Sequence, residues 1–281
     1  MTVMDKLLVP AAMQRVVEQG YDHLSGPVVR SADHVGRTAS ERVAAHGLEG
    51  DEFPFGPDPA YVDVIRFVTN PLMVLSTPTD AGERPWPTYP VGFLRDATPV
   101  WDLDLTRVPT GSRFVRVAAD GSETVLSEYG GAAWGWQRAT GYFPPLHLIG
   151  PRAKWGGLDL PASYTEDQQS VELVWVGDDG VPDGFTPTRP RVHARTVPVA
   201  ECDSVFEVVL TTTWRDAPVR VLQQAGPETL LFLIDPDVDT INRLEAVALE
   251  PTVFHATAPS SEIGEVTGLV REPAFGTALS D

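Results

Sequence analysis

The sequence predicts an α+β fold with short-stranded, mainly antiparallel sheets, a few helices and two domains. The 281 residues include 26 Pro and 24 Gly, which interrupt helices and relax the backbone. Apolar and polar residues alternate over many short stretches, as they do in half-buried strands. The length of the chain fits two domains or one large domain.

Two helices are predicted near the N-terminus. The first covers residues 10–19, because Pro10 is favourable in a first helical turn and Gly20 can end the helix. The second begins at the capping box Thr38-Ala39-Ser40-Glu41, and Gly47 supplies its stop.

Strand patterns follow these helices. Apolar or alternating stretches predict strands at residues 62–68, 72–75 and 101–105. A hairpin is predicted over residues 113–128, because Asp120-Gly121 stands between two apolar stretches and is typical of a tight hairpin turn.

A domain boundary is predicted near residue 165, where Ser163-Tyr164-Thr165-Glu166 matches a capping box. The two predicted domains are residues 1–165, with helices followed by a strand-rich part, and residues 166–281. Acids exceed bases by 5 in the first domain and by 13 in the second, out of a net charge of -18. The second domain is therefore the acidic one.

The acidic domain is predicted to be an antiparallel sheet packed against one helix. Its strands are expected at residues 205–214, 219–223, 229–234, 253–257 and 266–270. The helix, near residues 237–248, can be capped by Asp237 or Asp239. Residues 181–190 are rich in Pro and are expected to form a loop or linker.

Asp235, Asp237 and Asp239 have the spacing of the first carboxylates of a calcium-binding loop. Thr240 stands where that loop needs Gly, and Ala246 stands where it needs Glu. Helix capping explains the three aspartates better, and no metal site is predicted.

Other titratable residues are predicted to be structural. Asp102 and Asp104 share one strand face, which favours a solvent-facing polar edge over an acid–base pair. His23 and His255 belong to no compact ligand motif, so a solvated, hydrogen-bonded or packed role is expected for each. Cys202 has acidic neighbours, which disfavour the reactive thiolate.

Missing motifs exclude several classes of function. There is no nucleotide-binding glycine motif and no hydrolase nucleophile motif, so no cofactor is predicted. No apolar stretch is long enough to span a membrane, and no signal peptide is recognised. The strongly negative charge disfavours nucleic acid and anionic membranes as partners. A soluble, cytoplasmic protein is expected.

One segment stands apart in charge. Residues 130–158, here called the basic aromatic segment, contain no Asp or Glu, and their cations give a net charge of +3. Aromatic rings beside guanidinium groups can stack a base, hold an anion or pack against a partner. The predicted ligand-binding or partner-binding residues are Trp134, Trp136, Arg138, Tyr142, Arg152, Lys154 and Trp155. The alternative is a core corner in which the rings are packed and the arginines pair with acids elsewhere.

Two functions follow from these patterns. The first is a non-catalytic binding protein, of the adaptor, inhibitor or immunity type, that docks a basic protein through the acidic domain. The alternative is an enzyme, a hydrolase or transferase, that holds a phosphorylated or nucleotide-like small molecule at the basic aromatic segment. Glu128 or Asp159 would then supply the acid or base. The sequence leaves open whether there is catalysis.

Overall fold

Antiparallel sheet dominates the structure, a computed structural model in which strands make up 49% and helices 14%. It describes residues 1–46, 48–49, 54–56, 58–76, 98–145, 149–250 and 253–274. The predicted sheet-rich α+β class is therefore confirmed. Gly47, the predicted helix stop, lies outside the described residues.

The described strands of the N-terminal half form one seven-stranded sheet in the order β4-β5-β2-β1-β3-β6-β7. Their bounds are Val3–Leu8 (β1), His23–Arg30 (β2), Tyr61–Val68 (β3), Leu75–Ser76 (β4), Trp101–Arg107 (β5), Arg113–Ala118 (β6) and Glu123–Glu128 (β7). The predicted hairpin is confirmed as β6 and β7. Strands β1 and β2 lacked an alternating signal, because both are buried along nearly their whole length.

The second sheet has the order β11-β12-β10-β9-β8-β13-β14-β15-β17-β16 among the described residues, with β18 paired to β13. Its strands are Gly150–Trp155 (β8), Leu158–Tyr164 (β9), Ser170–Val176 (β10), Thr186–Arg189 (β11), Val192–Pro198 (β12), Ser204–Trp214 (β13), Ala217–Ala225 (β14), Glu228–Leu233 (β15), Val247–Glu250 (β16), Val253–Pro259 (β17) and Thr267–Arg271 (β18). All five strands predicted in the acidic domain are confirmed. Strand β11 corrects the prediction that residues 181–190 are loop throughout.

Short helices complete the fold. Helix α1 (Pro10–Gln14) continues as a π-helical turn, Arg15–Gln19, which ends at Gly20 with φ of 69°. Helix α2 (Ala39–Ala45) has the predicted capping box at Thr38. Helix α3 (Val238–Arg243) begins at Asp237, whose carboxylate accepts a hydrogen bond of 2.8 Å from the Thr240 backbone N–H. The capping role predicted for Asp237 is confirmed.

The capping-box match at Ser163-Tyr164-Thr165-Glu166 does not begin a helix. Ser163 and Tyr164 end β9, and the following residues form the turn to β10. The Thr165 hydroxyl bonds the Asp167 carboxylate at 2.7 Å and the Ser170 carbonyl at 2.9 Å, so the polar residues stabilise a turn.

Contacts join the part of the chain before residue 165 to the part after it. The Gln168 side chain donates to the Thr69 carbonyl at 2.6 Å, and Leu72 packs in the core of the second sheet. Strands β8 and β9, which precede residue 165, pair within the second sheet. The division into two domains at residue 165 stays a prediction.

No helix among the described residues is long and apolar enough to cross a lipid bilayer.

Candidate functional site

The structure places the seven predicted residues in two groups. Trp134, Trp136, Arg138 and Tyr142 lie in the connection between β7 and β8. Arg152, Lys154 and Trp155 lie on β8. Residues 146–148 of the basic aromatic segment lie outside the described residues.

The aromatic residues of the first group have internal partners. Trp136 is 2% exposed, packs against Tyr129 and donates its indole N–H to the Tyr21 carbonyl at 3.1 Å. Trp134 is 47% exposed, and its indole N–H donates to the buried carboxylate of Glu172 at 2.8 Å. The indole of Trp136 is thus part of the core.

Arg189 brings two predicted residues together. Its guanidinium donates to the Trp134 carbonyl at 2.8 Å and lies 4.6 Å from the centroid of the Tyr142 ring. The Tyr142 hydroxyl donates to the Ala132 carbonyl at 2.7 Å. Arg138 is exposed in the same connection.

The second group has separate partners. Arg152 is 1% exposed, and its Nε donates to the Asp159 carboxylate at 2.6 Å. Trp155 packs beneath the Arg195 guanidinium at 4.5 Å, and Lys154 is exposed on the same strand. Asp159 therefore neutralises Arg152, as the core-corner alternative requires. Anion binding at the exposed Arg138 and Lys154 stays a prediction.

Residues 166–281, the acidic C-terminal part of the chain, expose most of their carboxylates to solvent. Among the residues after 165 whose side-chain burial the structure describes, the Asp and Glu residues are exposed except Glu172 and Glu207, which are buried. Burying unpaired carboxylates is costly, so this distribution follows the ordinary cost of desolvation. It leaves a surface with a large excess of negative charge.

Four of these carboxylates surround one groove, here called the acidic groove. It has a volume of about 550 Å³, and its lining includes Asp216, Asp235, Asp237 and Asp239. Asp216 comes from the turn between β13 and β14, and the other three come from the start of α3. The residues that line the groove include no Lys or Arg.

The carboxylates of the acidic groove lie apart from one another. Among the described residues, no three Asp, Glu, His or Cys residues converge closely enough to hold a metal ion. The carboxylates are instead spread around the groove. The sequence predicted the three aspartates near α3 only as helix caps. No sequence pattern indicated Asp216 as a site residue, because its turn lies beside the other three aspartates only in the folded sheet.

Asp104 does not form the solvent-facing edge that the sequence predicted. Its carboxylate accepts a hydrogen bond of 2.7 Å from Arg220 and a second from Arg271. Burial raises the pKa of the neighbouring Asp102 to about 6. Strand β5 therefore turns this face toward cations of the second sheet.

Glu207 is 1% exposed and lies 3.5 Å from Arg271 in the same cluster. Burial raises its pKa to about 7, although Arg220 and Arg271 favour the charged form. The folded protein therefore holds a proton at Glu207 that the unfolded chain releases near its ordinary pKa of 4.5. Ionising this group as the pH rises from 5 to 8 costs folding free energy.

The variant Glu207→Gln, which cannot ionise, is expected to gain stability relative to the wild-type protein over this range, by roughly 2 kcal/mol. Urea unfolding at pH 5 and pH 8 measures this difference. Both proteins contain the same histidines, so the effect of histidine titration on stability cancels in the difference between them. Glu201→Gln, at an exposed position, is the matched control. A stability difference that stays constant between the two pH values would contradict the assignment.

Comparisons with protein-family models, with curated proteins and with solved structures find no match to this chain.

Proposed function

We propose that the protein is a non-catalytic binding protein that recognises a basic protein partner through its acidic domain. The observation that carries the proposal is the acidic groove, where four carboxylates line one concave surface without a cation among the lining residues. Clustered charge of one sign accelerates encounter with an oppositely charged partner and fixes its orientation.

The surroundings of the groove support docking of a protein segment. Leu233, Ile234 and Val238 also line it, so apolar contacts lie beside the charged ones. A partner with Lys or Arg on either side of an apolar residue would satisfy both kinds of contact.

The test begins by capturing the partner from lysate of the source cells at low salt and identifying it by mass spectrometry. Its dissociation constant for the purified chain is then measured by titration calorimetry at 50 and 300 mM NaCl. Affinity is expected to fall steeply as salt rises, because the charges are exposed and salt screens them.

A triple variant tests whether the partner binds at the acidic groove. Asp216→Asn, Asp237→Asn and Asp239→Asn together should weaken binding by about 10-fold. Asparagine keeps the cap of α3 and tolerates the positive φ of Asp216.

The matched control removes three exposed charges outside the groove, through Asp178→Asn, Asp179→Asn and Asp183→Asn. It should leave affinity within about twofold of wild-type. Equal losses in both triple variants would show that only net charge matters, and no loss in either would overturn the proposal.

A further inference from the structure

A second groove, here called the Arg15 groove, lies where the π-helical turn meets β16 and β17. Its volume is about 520 Å³, within the range of small-molecule sites. It shares no lining residue with the acidic groove. Its lining combines an apolar wall with charged and polar side chains, which include Arg15, Arg215, Glu245 and His255.

The apolar wall comes from the second sheet and from the end of α3. It is formed by Leu230, Leu244, Val247, Ala256 and Pro259. Such a wall fits the hydrocarbon or aromatic body of a small ligand and supplies binding free energy through burial.

Arg15 provides the positive charge in the groove. Its guanidinium lies 3.9 Å from the centroid of the Tyr21 ring, and it makes no ion pair with any described carboxylate. The other lining arginine, Arg215, is paired with Glu262 at 3.0 Å. Among the arginines that line the groove, Arg15 is therefore the one whose charge can pair with a bound anion.

His255 provides a second polar group. It is 4% exposed, and its Nε2 atom has no hydrogen-bond partner among the described residues. A buried polar atom without a partner costs free energy, which a ligand atom can recover. Burial, together with the positive charge of Arg15, lowers the pKa of His255 to about 3, so its ring is neutral at pH 7. A neutral ring can donate one N–H to an anion.

The backbone around Arg15 packs closely against the connection between β7 and β8. A Cβ atom at Gly20, which ends the π-helical turn, would lie 2.5 Å from the Gly141 carbonyl oxygen. Thr140 also donates its backbone N–H to the Val17 carbonyl at 2.9 Å. The connection that carries Trp136 therefore holds the turn in place and fixes where Arg15 lies. π-Helical turns of this kind recur at functional sites.

We propose that the Arg15 groove binds a small organic monocarboxylate, whose carboxylate lies against Arg15 and His255 and whose apolar body lies along Leu230 and Leu244. The planar guanidinium matches a carboxylate with two parallel hydrogen bonds. Glu245 lines the same groove and disfavours a second negative charge, so a monoanion fits better than a phosphate dianion. His255 was not predicted as a site residue, because it belongs to no compact ligand motif in the sequence.

Titration calorimetry with octanoate tests the proposal on the full chain. Octanoate is expected to bind the wild-type protein with a submillimolar dissociation constant, and octanamide, acetate and inorganic phosphate should each bind at least 10-fold more weakly. Arg15→Gln should weaken octanoate binding at least 10-fold. Arg113→Gln, which removes an exposed arginine on β6, is the matched control and should bind octanoate like wild-type.

A second measurement needs no substitution. Two-dimensional ¹H–¹⁵N spectra of the histidine rings, recorded during an octanoate titration of wild-type protein, should show a shift of the His255 Nε2 resonance. Binding of octanamide as tightly as octanoate, equal affinities for Arg15→Gln and Arg113→Gln, or an unmoved His255 resonance would each overturn the proposal. Because the two grooves share no lining residue, these outcomes are independent of the test of protein docking.

Discussion

Asp5→Ala is expected to lower the free energy of unfolding by about 3–5 kcal/mol, because it removes the buried carboxylate that Arg42 and Arg66 share. Asp5 and Arg42 are each 1% exposed and lie 3.3 Å apart. Arg66 also donates to Asp5, at 2.8 Å. Glu123 bonds both arginines, but it lies at the rim and cannot replace a carboxylate at the centre of the cluster.

Urea unfolding at pH 7 measures this loss. The control is Asp178→Ala, which breaks an ion pair of 3.8 Å between side chains that are 69% and 74% exposed. An exposed pair contributes little, so this variant should stay within about 1 kcal/mol of wild-type. A loss below about 1 kcal/mol for Asp5→Ala would mean that the buried cluster does not stabilise the first sheet.

Trp136→Ala should have an effect of similar size, about 3–5 kcal/mol, because it removes a large ring from a filled core. The ring contacts Tyr129 and Phe114, and its N–H bonds the Tyr21 carbonyl. The loss would also loosen the connection that holds the π-helical turn.

Trp134→Ala gives the matched comparison two residues away. This side chain is half exposed, so its loss removes one hydrogen bond to Glu172 and should cost about 1 kcal/mol. Thermal unfolding of both variants separates the core tryptophan from the surface one. Equal destabilisation of the two would contradict their different burial.

Local signals in the sequence predicted much of the fold. The capping box at Thr38, the Asp120-Gly121 turn and the cap at Asp237 each depend on residues within one turn of chain, so pattern alone located them. Strands β1 and β2 were missed because strands buried on both faces do not alternate.

The candidate sites depend on contacts that no local pattern contains. Arg152 meets Asp159 across a hairpin, and Asp104 meets Arg220 over 116 residues of chain. The basic aromatic segment was identified from charge and ring content, which cannot tell a packed indole such as Trp136 from an exposed one such as Trp134. The sequence predicted the negative charge of residues 166–281, but not the acidic groove, whose shape requires the folded sheet.

The association rate constant of the chain with its purified partner tests the central claim most directly. Biolayer interferometry at 50 and 300 mM NaCl compares the wild-type protein with the Asn variant at Asp216, Asp237 and Asp239. Docking through the acidic groove predicts that salt slows association of the wild-type protein by about 10-fold or more, and that the variant associates slowly at both salt concentrations. A wild-type rate that is independent of salt, or a variant that associates as fast as wild-type at 50 mM NaCl, would contradict the claim.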